Sequence, residues 1–254
     1  MKTLFLAWQD APRETSSRTA TRGWYPIGRL DVESEKPLYT FHYTRGALTA
    51  HAEAGFQPLD AFPKFERAYE STELFPLFQN RVPNPKRGDY VDFVKRLGLT
   101  VEAANPFEIL AISGGGRQTD NLEVFPKIQK RRDGTFSVRF FLHGWRHVNL
   151  ESQSRLARLK EGDPLQVAVE VNNPVTGAAV QLQTVDDYHM IGWAPRYLIK
   201  DMLSALGECP GDIHARVSKV NPPPGPYNQR VLIELEGRLP DSVEPMSSAE
   251  FQGI

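Results

Sequence analysis

Apolar and polar positions change period several times along this chain, and the changes mark its elements. A short apolar run, Leu4-Phe5-Leu6-Ala7-Trp8, stops at Gln9-Asp10 and reads as a first strand. Residues 11–23 carry Pro, Ser, Thr, Arg and Gly and read as a loop. Residues 24–30 and 38–43 are rich in aromatic and apolar residues of strand type, with a hairpin turn at 33–37. The first 43 residues therefore predict a three-stranded meander with one wet face. Beyond it prolines are threaded among aromatics, in Phe62-Pro63, Leu74-Phe75-Pro76-Leu77-Phe78 and Asn80-Arg81-Val82-Pro83-Asn84-Pro85. Proline fixes φ and removes a donor, which predicts compact irregular structure or short helices. Phe62, Phe65, Phe75 and Phe78 are expected in a core rather than on a contact surface. Tyr90, Val91, Phe93, Val94 and Leu97 have helical spacing, with Gly98 where a C-cap belongs. Residues 107–112 form a second short helix or a strand, ended by Ser113-Gly114-Gly115-Gly116.

Residues 127–134 are charged, end in Asp133-Gly134 and predict a domain boundary. Residues 136–142 then alternate as a strand, and 151–160 read as a helix with Leu156 and Leu159 inward. Strands follow at 165–171 and 179–184, a short strand precedes Pro195, and Pro195 opens a helix over 195–206. Residues 213–220 and 230–235 alternate as a closing hairpin around a long, proline-rich loop. Residues 241–254 are polar and predict a flexible tail.

Composition narrows the functional classes. The chain has 254 residues, 40% hydrophobic and 24% charged, enough for one large domain or two small ones. A formal net charge of −1 argues against a generic nucleic-acid coat but leaves room for a local cationic patch. The single cysteine, Cys209, permits no internal disulfide and no cysteine-based zinc site. No run approaches the roughly 18 apolar residues of a membrane helix, and the opening apolar run is too short for a signal-peptide core. A cytoplasmic protein with no membrane partner is the expectation.

Candidate chemistry is sparse. The glycine run at 114–116 lacks the Lys-Ser/Thr of a Walker loop and reads as a turn. His143 and His147 stand four apart on a strand leading into Gly144, with no carboxylate pair to complete a ligand set, so no metal is expected. Asp186-Asp187 reads as a solvated turn, and no nucleophile motif appears. No cofactor and no catalytic residue is predicted.

Two stretches resemble known families. Arg155-Leu156-Ala157-Arg158-Leu159-Lys160-Glu161-Gly162-Asp163-Pro164-Leu165, Asn173-Pro174, and Met190-Ile191-Gly192-Trp193-Ala194-Pro195-Arg196-Tyr197-Leu198 resemble, in order and at their joints, the HIRAN domain. That resemblance implies a small β-barrel over about 135–240, of a kind that binds DNA ends in helicase-like and prokaryotic proteins. It places Gly144-Trp145-Arg146-His147 where the family has an Arg-aromatic pair after the first strand, and Asn172-Asn173-Pro174 on its polar turn. The implied nucleic-acid-binding set is Trp145, Arg146, His147, Asn173, Arg196 and Lys200, with Arg146 on a groove rim near Asn173. Arg146 can fork onto a phosphate, and Trp145 or His147 can stack on a base. The chain departs from eukaryotic members at Val175 and Thr176, where they carry Tyr-Asp, and at Val148, where a second tyrosine stands.

The other stretch covers about 1–128. Its strand meander, Leu74-Phe75-Pro76-Leu77-Phe78-Gln79-Asn80, Leu97-Gly98-Leu99, Pro106-Phe107 and Val124-Phe125-Pro126 resemble the N-terminal subdomain of HipA-type toxin kinases. No His-Arg-Asp or Asp-Phe-Gly motif is present, so the resemblance implies a folding unit and docking surface without a kinase lobe.

The expected fold is mainly β with short helices (α+β): a HipA-N-like β-meander with helices, then a HIRAN-like β-barrel. The expected function is a non-catalytic nucleic-acid-binding or accessory protein engaging DNA ends or single strands beside a helicase, nuclease or kinase partner. The alternative is an antitoxin-like regulator that docks on a HipA-type kinase or other effector through its N-terminal half.

Overall fold

The computed structural model describes residues 1–11, 22–33, 38–117 and 119–254. The loop expected at 11–23 and the turn at 33–37 lie largely outside the described residues. The chain forms two antiparallel sheets, each in its own compact unit. The first unit comprises Met1–Tyr90, Glu102–Lys127 and Met246–Ile254, and the second Val91–Val101 and Ile128–Pro245. Neither is one continuous stretch. No described helix is long and apolar enough to cross a membrane.

In the first unit, β1 (Lys2–Gln9), β2 (Trp24–Glu33) and β3 (Leu38–Tyr43) are the expected meander. β4 (Tyr69–Ser71) and β5 (Leu122–Pro126) extend it to the order β4-β3-β2-β1-β5. The helices are α1 (Arg45–Ala54), α2 (Pro76–Gln79) and α4 (Pro106–Ser113), with α3 (Tyr90–Arg96) beginning on the last residue of the unit's first segment. One face of the sheet supplies Leu4, Leu6, Ile27, Leu30, Phe41 and Tyr43 to a core completed by Phe56, Phe62, Phe78 and Leu110. Phe62 stacks on Phe41 at 3.9 Å between ring centroids and meets Phe75 edge-on at 5.1 Å, while Phe65 packs against the same cluster. Of the proline-pinned aromatics, Phe62 and Phe78 are fully buried in the core, as expected, and Phe65 and Phe75 pack against it partly buried. The Tyr43 hydroxyl donates to the Phe62 carbonyl and accepts from the Leu59 N–H, both at 2.7 Å, and burial pushes its pKa up to about 12.

The opposite face is not wet. Phe5 lies against Phe125 at 5.6 Å and against Phe251 at 4.9 Å. Residues 246–254, expected as a free tail, pack into this unit instead. Phe251 is buried, the Arg45 N–H donates to the Gln252 carbonyl, and Gly253 bridges Thr44. The polar sequence of the segment hid the one aromatic that anchors it.

The glycine run has a packing role. Gly114 caps α4 at φ 72°, and Gly115 leaves room for Arg81, whose guanidinium donates to the Gly115 carbonyl at 2.9 Å. The Arg81 side chain is 1% exposed and forms a forked pair with Asp120 at 2.6 and 3.2 Å. A buried guanidinium needs such a partner set, and the turn exists to provide it.

The second unit holds β6 (Thr135–Phe141), α5 (Leu150–Leu156), β7 (Pro164–Asn173), β8 (Gly177–Thr184), β9 (Met190–Trp193), α6 (Ile199–Glu208), β10 (His214–Val220) and β11 (Val231–Arg238). Alternation on β6 and β11 buries Phe136, Phe140, Val231, Ile233 and Leu235. The strand order is β6-β11-β10-β7-β8-β9. A closed barrel was the expectation. The strand ladders instead leave β6 and β9 as outer strands, joined just past β6 by one isolated bridge, His143 to Trp193. Its two backbone hydrogen bonds measure 2.9 and 3.0 Å.

Pro195 begins a 3-10 turn over Arg196–Leu198, and the α-helix proper starts at Ile199, later than expected. Val91–Val101 also belongs to this unit: the Asn221 amide donates to the Arg96 carbonyl at 3.0 Å, and Gly98 packs on Leu232. A fragment confined to 135–240 lacks these partners. The Phe251 contacts yield a prediction. Phe251→Ala should destabilise the first unit by about 3–5 kcal/mol, the usual cost of truncating a core phenylalanine. Urea unfolding followed by tyrosine and tryptophan fluorescence measures it, and an unchanged midpoint would show that the segment only rests on the surface.

Candidate nucleic-acid interface

The expected site residues fall into two bonded sets and one helical segment. The first set begins at Gly144, where φ is 66° and a Cβ would collide with the Trp193 ring. Only glycine satisfies both demands, so the chain turns sharply out of β6 there. Trp145, Arg146 and His147 form a 3-10 turn immediately after it.

The Trp145 indole N–H donates to the Tyr227 carbonyl at 2.8 Å, which fastens the proline-rich 221–229 loop to this turn. The Arg146 guanidinium lies 3.9 Å from the Tyr227 ring centroid, and that of Arg230 lies 5.6 Å from the Trp145 ring. Two adjacent aromatics, Tyr227 and Trp145, thus each carry one cation, Arg146 on the first and Arg230 on the second. Tyr227 is 55% exposed. Arg230 also donates to the Asn221 carbonyl at 2.9 Å, and the Asn221 amide to that of Gln229 at 2.7 Å, so the loop is held at its base.

Among the described residues, the Arg146 side chain has no carboxylate or hydrogen-bond partner. Stacking uses its flat face and leaves its in-plane N–H donors to solvent. His147 is exposed beside it.

The second set surrounds Glu170 on β7. Its carboxylate accepts from the Trp193 indole at 2.6 Å and from the Asn173 amide at 3.0 Å. Asn173 Oδ1 accepts in turn from the N–H groups of Val175 and Thr176 and from the Thr176 hydroxyl, at 3.0, 3.1 and 3.1 Å. Asn173 is therefore committed mainly to shaping its own hairpin. Val148, where the family resemblance places a tyrosine, is buried. The structure joins the two sets through Gly144 and Trp193. Arg196, half-buried, and Lys200, exposed, stand on the segment that follows β9.

Sequence alone does not point to Tyr227 and Arg230. Their signal was an exposed aromatic and a cation flanking a proline-rich loop, but the loop lies 82 residues from Trp145 in sequence. The Asp186-Asp187 turn is tied more firmly than expected, with Asp187 accepting from Arg155 at 2.9 Å. Among the described residues, no cluster of three or more His, Cys, Asp or Glu side chains could hold a metal ion. Comparison with protein-family models, curated proteins and solved structures finds no match.

The second set titrates. Burial is the largest influence on Glu170 and acts upward. Hydrogen bonds from Trp193, Asn173 and Gln181 outweigh it, leaving the carboxyl below its ordinary 4.5. Because the folded pKa is depressed, the unfolded chain binds the proton first as pH falls. The contribution is complete well above pH 4.5 and is lost as pH drops through the folded value. Glu170→Gln should therefore flatten part of the acid limb of stability, read from thermal midpoints between neutral pH and about pH 3. An acid limb identical to that of the parent would contradict this account.

Proposed function

We propose that the second unit is a HIRAN-like module that binds the backbone and end of a single DNA strand through the turn after β6. The carrying observation is the unpaired Arg146 guanidinium stacked on an exposed tyrosine, beside a second cation on a tryptophan. Phosphate recognition needs in-plane N–H donors, and base recognition needs an accessible π face. Arg146 supplies the first and Tyr227 the second, in place of the tyrosine replaced by Val148. Trp145 acts as the strut that holds Tyr227 in position. Asn173 acts through hairpin shape, His147 offers a stacking ring beside Arg146, and Arg196 and Lys200 add positive charge on the segment after β9.

The docking alternative has less to draw on. The exposed large apolar side chains among the described residues of the first unit are Met1, Leu48 and Ile254, where a docking face needs a contiguous patch of several hundred Å².

Fluorescence anisotropy with single-stranded, duplex and recessed-end DNA at low salt tests the proposal. Arg146→Ala should weaken single-strand binding by about 1–3 kcal/mol and reduce the salt slope by about 0.7, the loss of one phosphate contact. Tyr227→Ala should weaken binding by a similar amount, about 1–3 kcal/mol, with the salt slope unchanged. Absence of binding to all three DNAs overturns the nucleic-acid reading.

A further inference from the structure

Strand β7 has a ladder partner along its whole length on one side only. β8 pairs with it from Leu165 to Asn173, whereas β10 meets it only at Pro164 and Leu165. Among the described residues, the backbone from Gln166 to Val171 has no other partner on that second edge.

Free edges in monomeric proteins are normally blunted by lysine, proline or an early bulge. The stretch Gln166-Val167-Ala168-Val169-Glu170-Val171 contains no lysine, arginine, proline or glycine, and the register shift comes only after Val171. Its one charge, Glu170, is drawn to the Trp193 indole.

The apolar stripe on this strand also continues past the core. Leu165, Val167, Val169 and Val171 share one face, opposite Thr184, Leu182, Val180 and Ala178 of β8. Leu182 and Val180 are fully buried, yet Val169 is 44% and Val171 72% exposed. The core-facing stripe of β7 runs out into solvent along an unpaired edge.

We propose that this edge pairs with the same edge of a second copy of the chain, antiparallel, about a two-fold axis at Val169. The sequence of the strand argues for a copy of itself. With Val169 opposite Val169, Val167 faces Val171 and Ala168 faces Glu170, so valines meet valines and no carboxylate meets its own kind. Centring the axis on Glu170 sets two carboxylates against each other. Centring it on Ala168 sets Val171, the most exposed valine, against Leu165, whose edge β10 already holds, and centring it on Val167 leaves only three residues of each copy to pair before Leu165 is reached. Centring it on Val171 runs into Asn172, whose φ of 63° ends the regular strand. A two-fold axis perpendicular to the sheet keeps the buried faces of both copies on one side. The exposed valines of the two chains then form one continuous strip.

Sedimentation velocity of the full chain across a concentration series tests this. The expected result is a reversible dimer. Val169→Lys places two ammonium groups opposite each other at the axis and should raise the dimer dissociation constant by roughly tenfold or more, with an unchanged circular-dichroism spectrum. In a Cys209→Ser background, Val169→Cys should be joined to a second chain by a short bis-maleimide. This readout stands even if the lysine variant folds poorly. A parent chain that stays monomeric at its highest soluble concentration overturns the proposal and leaves the edge to an extended segment of another protein. A dimer indifferent to Val169→Lys, or one that fails to cross-link through position 169, overturns it equally.

Discussion

Trp193 is the residue on which the second unit turns. Its backbone makes the two hydrogen bonds that join the outer strands β6 and β9, its ring fills the space over Gly144, and its indole N–H meets Glu170. A side chain with a large apolar body and a single donor can satisfy the last two demands at once, while the backbone meets the first. Gly144 is forced by that ring, and Gly144 in turn aims Trp145 and Arg146. Glu170, fixed by the indole, holds Asn173 and so the hairpin. The geometry of the candidate interface is thus set by a residue that does not belong to it.

The first unit depends on aromatic packing of another kind. Proline-pinned loops bring Phe62, Phe75 and Phe78 onto a sheet face already carrying Phe41 and Tyr43. Irregular backbone buries few regular hydrogen-bond partners, and the Tyr43 hydroxyl makes up part of the difference by holding two loop backbone groups. Arg81 does the same at the glycine turn. Polar side chains inside this unit serve as fasteners for chain that has no ladder of its own.

Period-two alternation made β6, β10 and β11 legible, because each sets a buried face against a more accessible one, whereas β2 and β3 were legible from their strand-type aromatic and apolar residues. Proline and glycine at α4 and Gly98 after α3 marked helix ends for the same local reason. What stayed hidden was non-local. Helix α1 carries little periodic signal because its buried residues are glycine and alanine rather than large apolar side chains. Strand β4 has three residues and no pattern to read. The burial of Phe251 depends on Phe5, and the pairing of Arg146 with Tyr227 depends on a loop from the far end of the unit. Residue types at the site were readable from the sequence around Gly144, but their neighbours were decided by which strands lie side by side. The barrel expectation erred in the same way: alternation counts strands but does not say how their outer edges meet.

The division of the chain also imposes an order of assembly. Residues 246–254 cover the Phe5 face of the first unit, yet the ribosome makes them only after all of 128–245. At about 5–20 residues per second, several seconds separate the emergence of β5 from that of Phe251. During that interval the Phe5 and Phe125 surface stands open, an apolar platform on a nascent chain. The first unit to be synthesised is therefore the last to be finished, and a chain stopped after the second unit leaves that platform permanently uncovered.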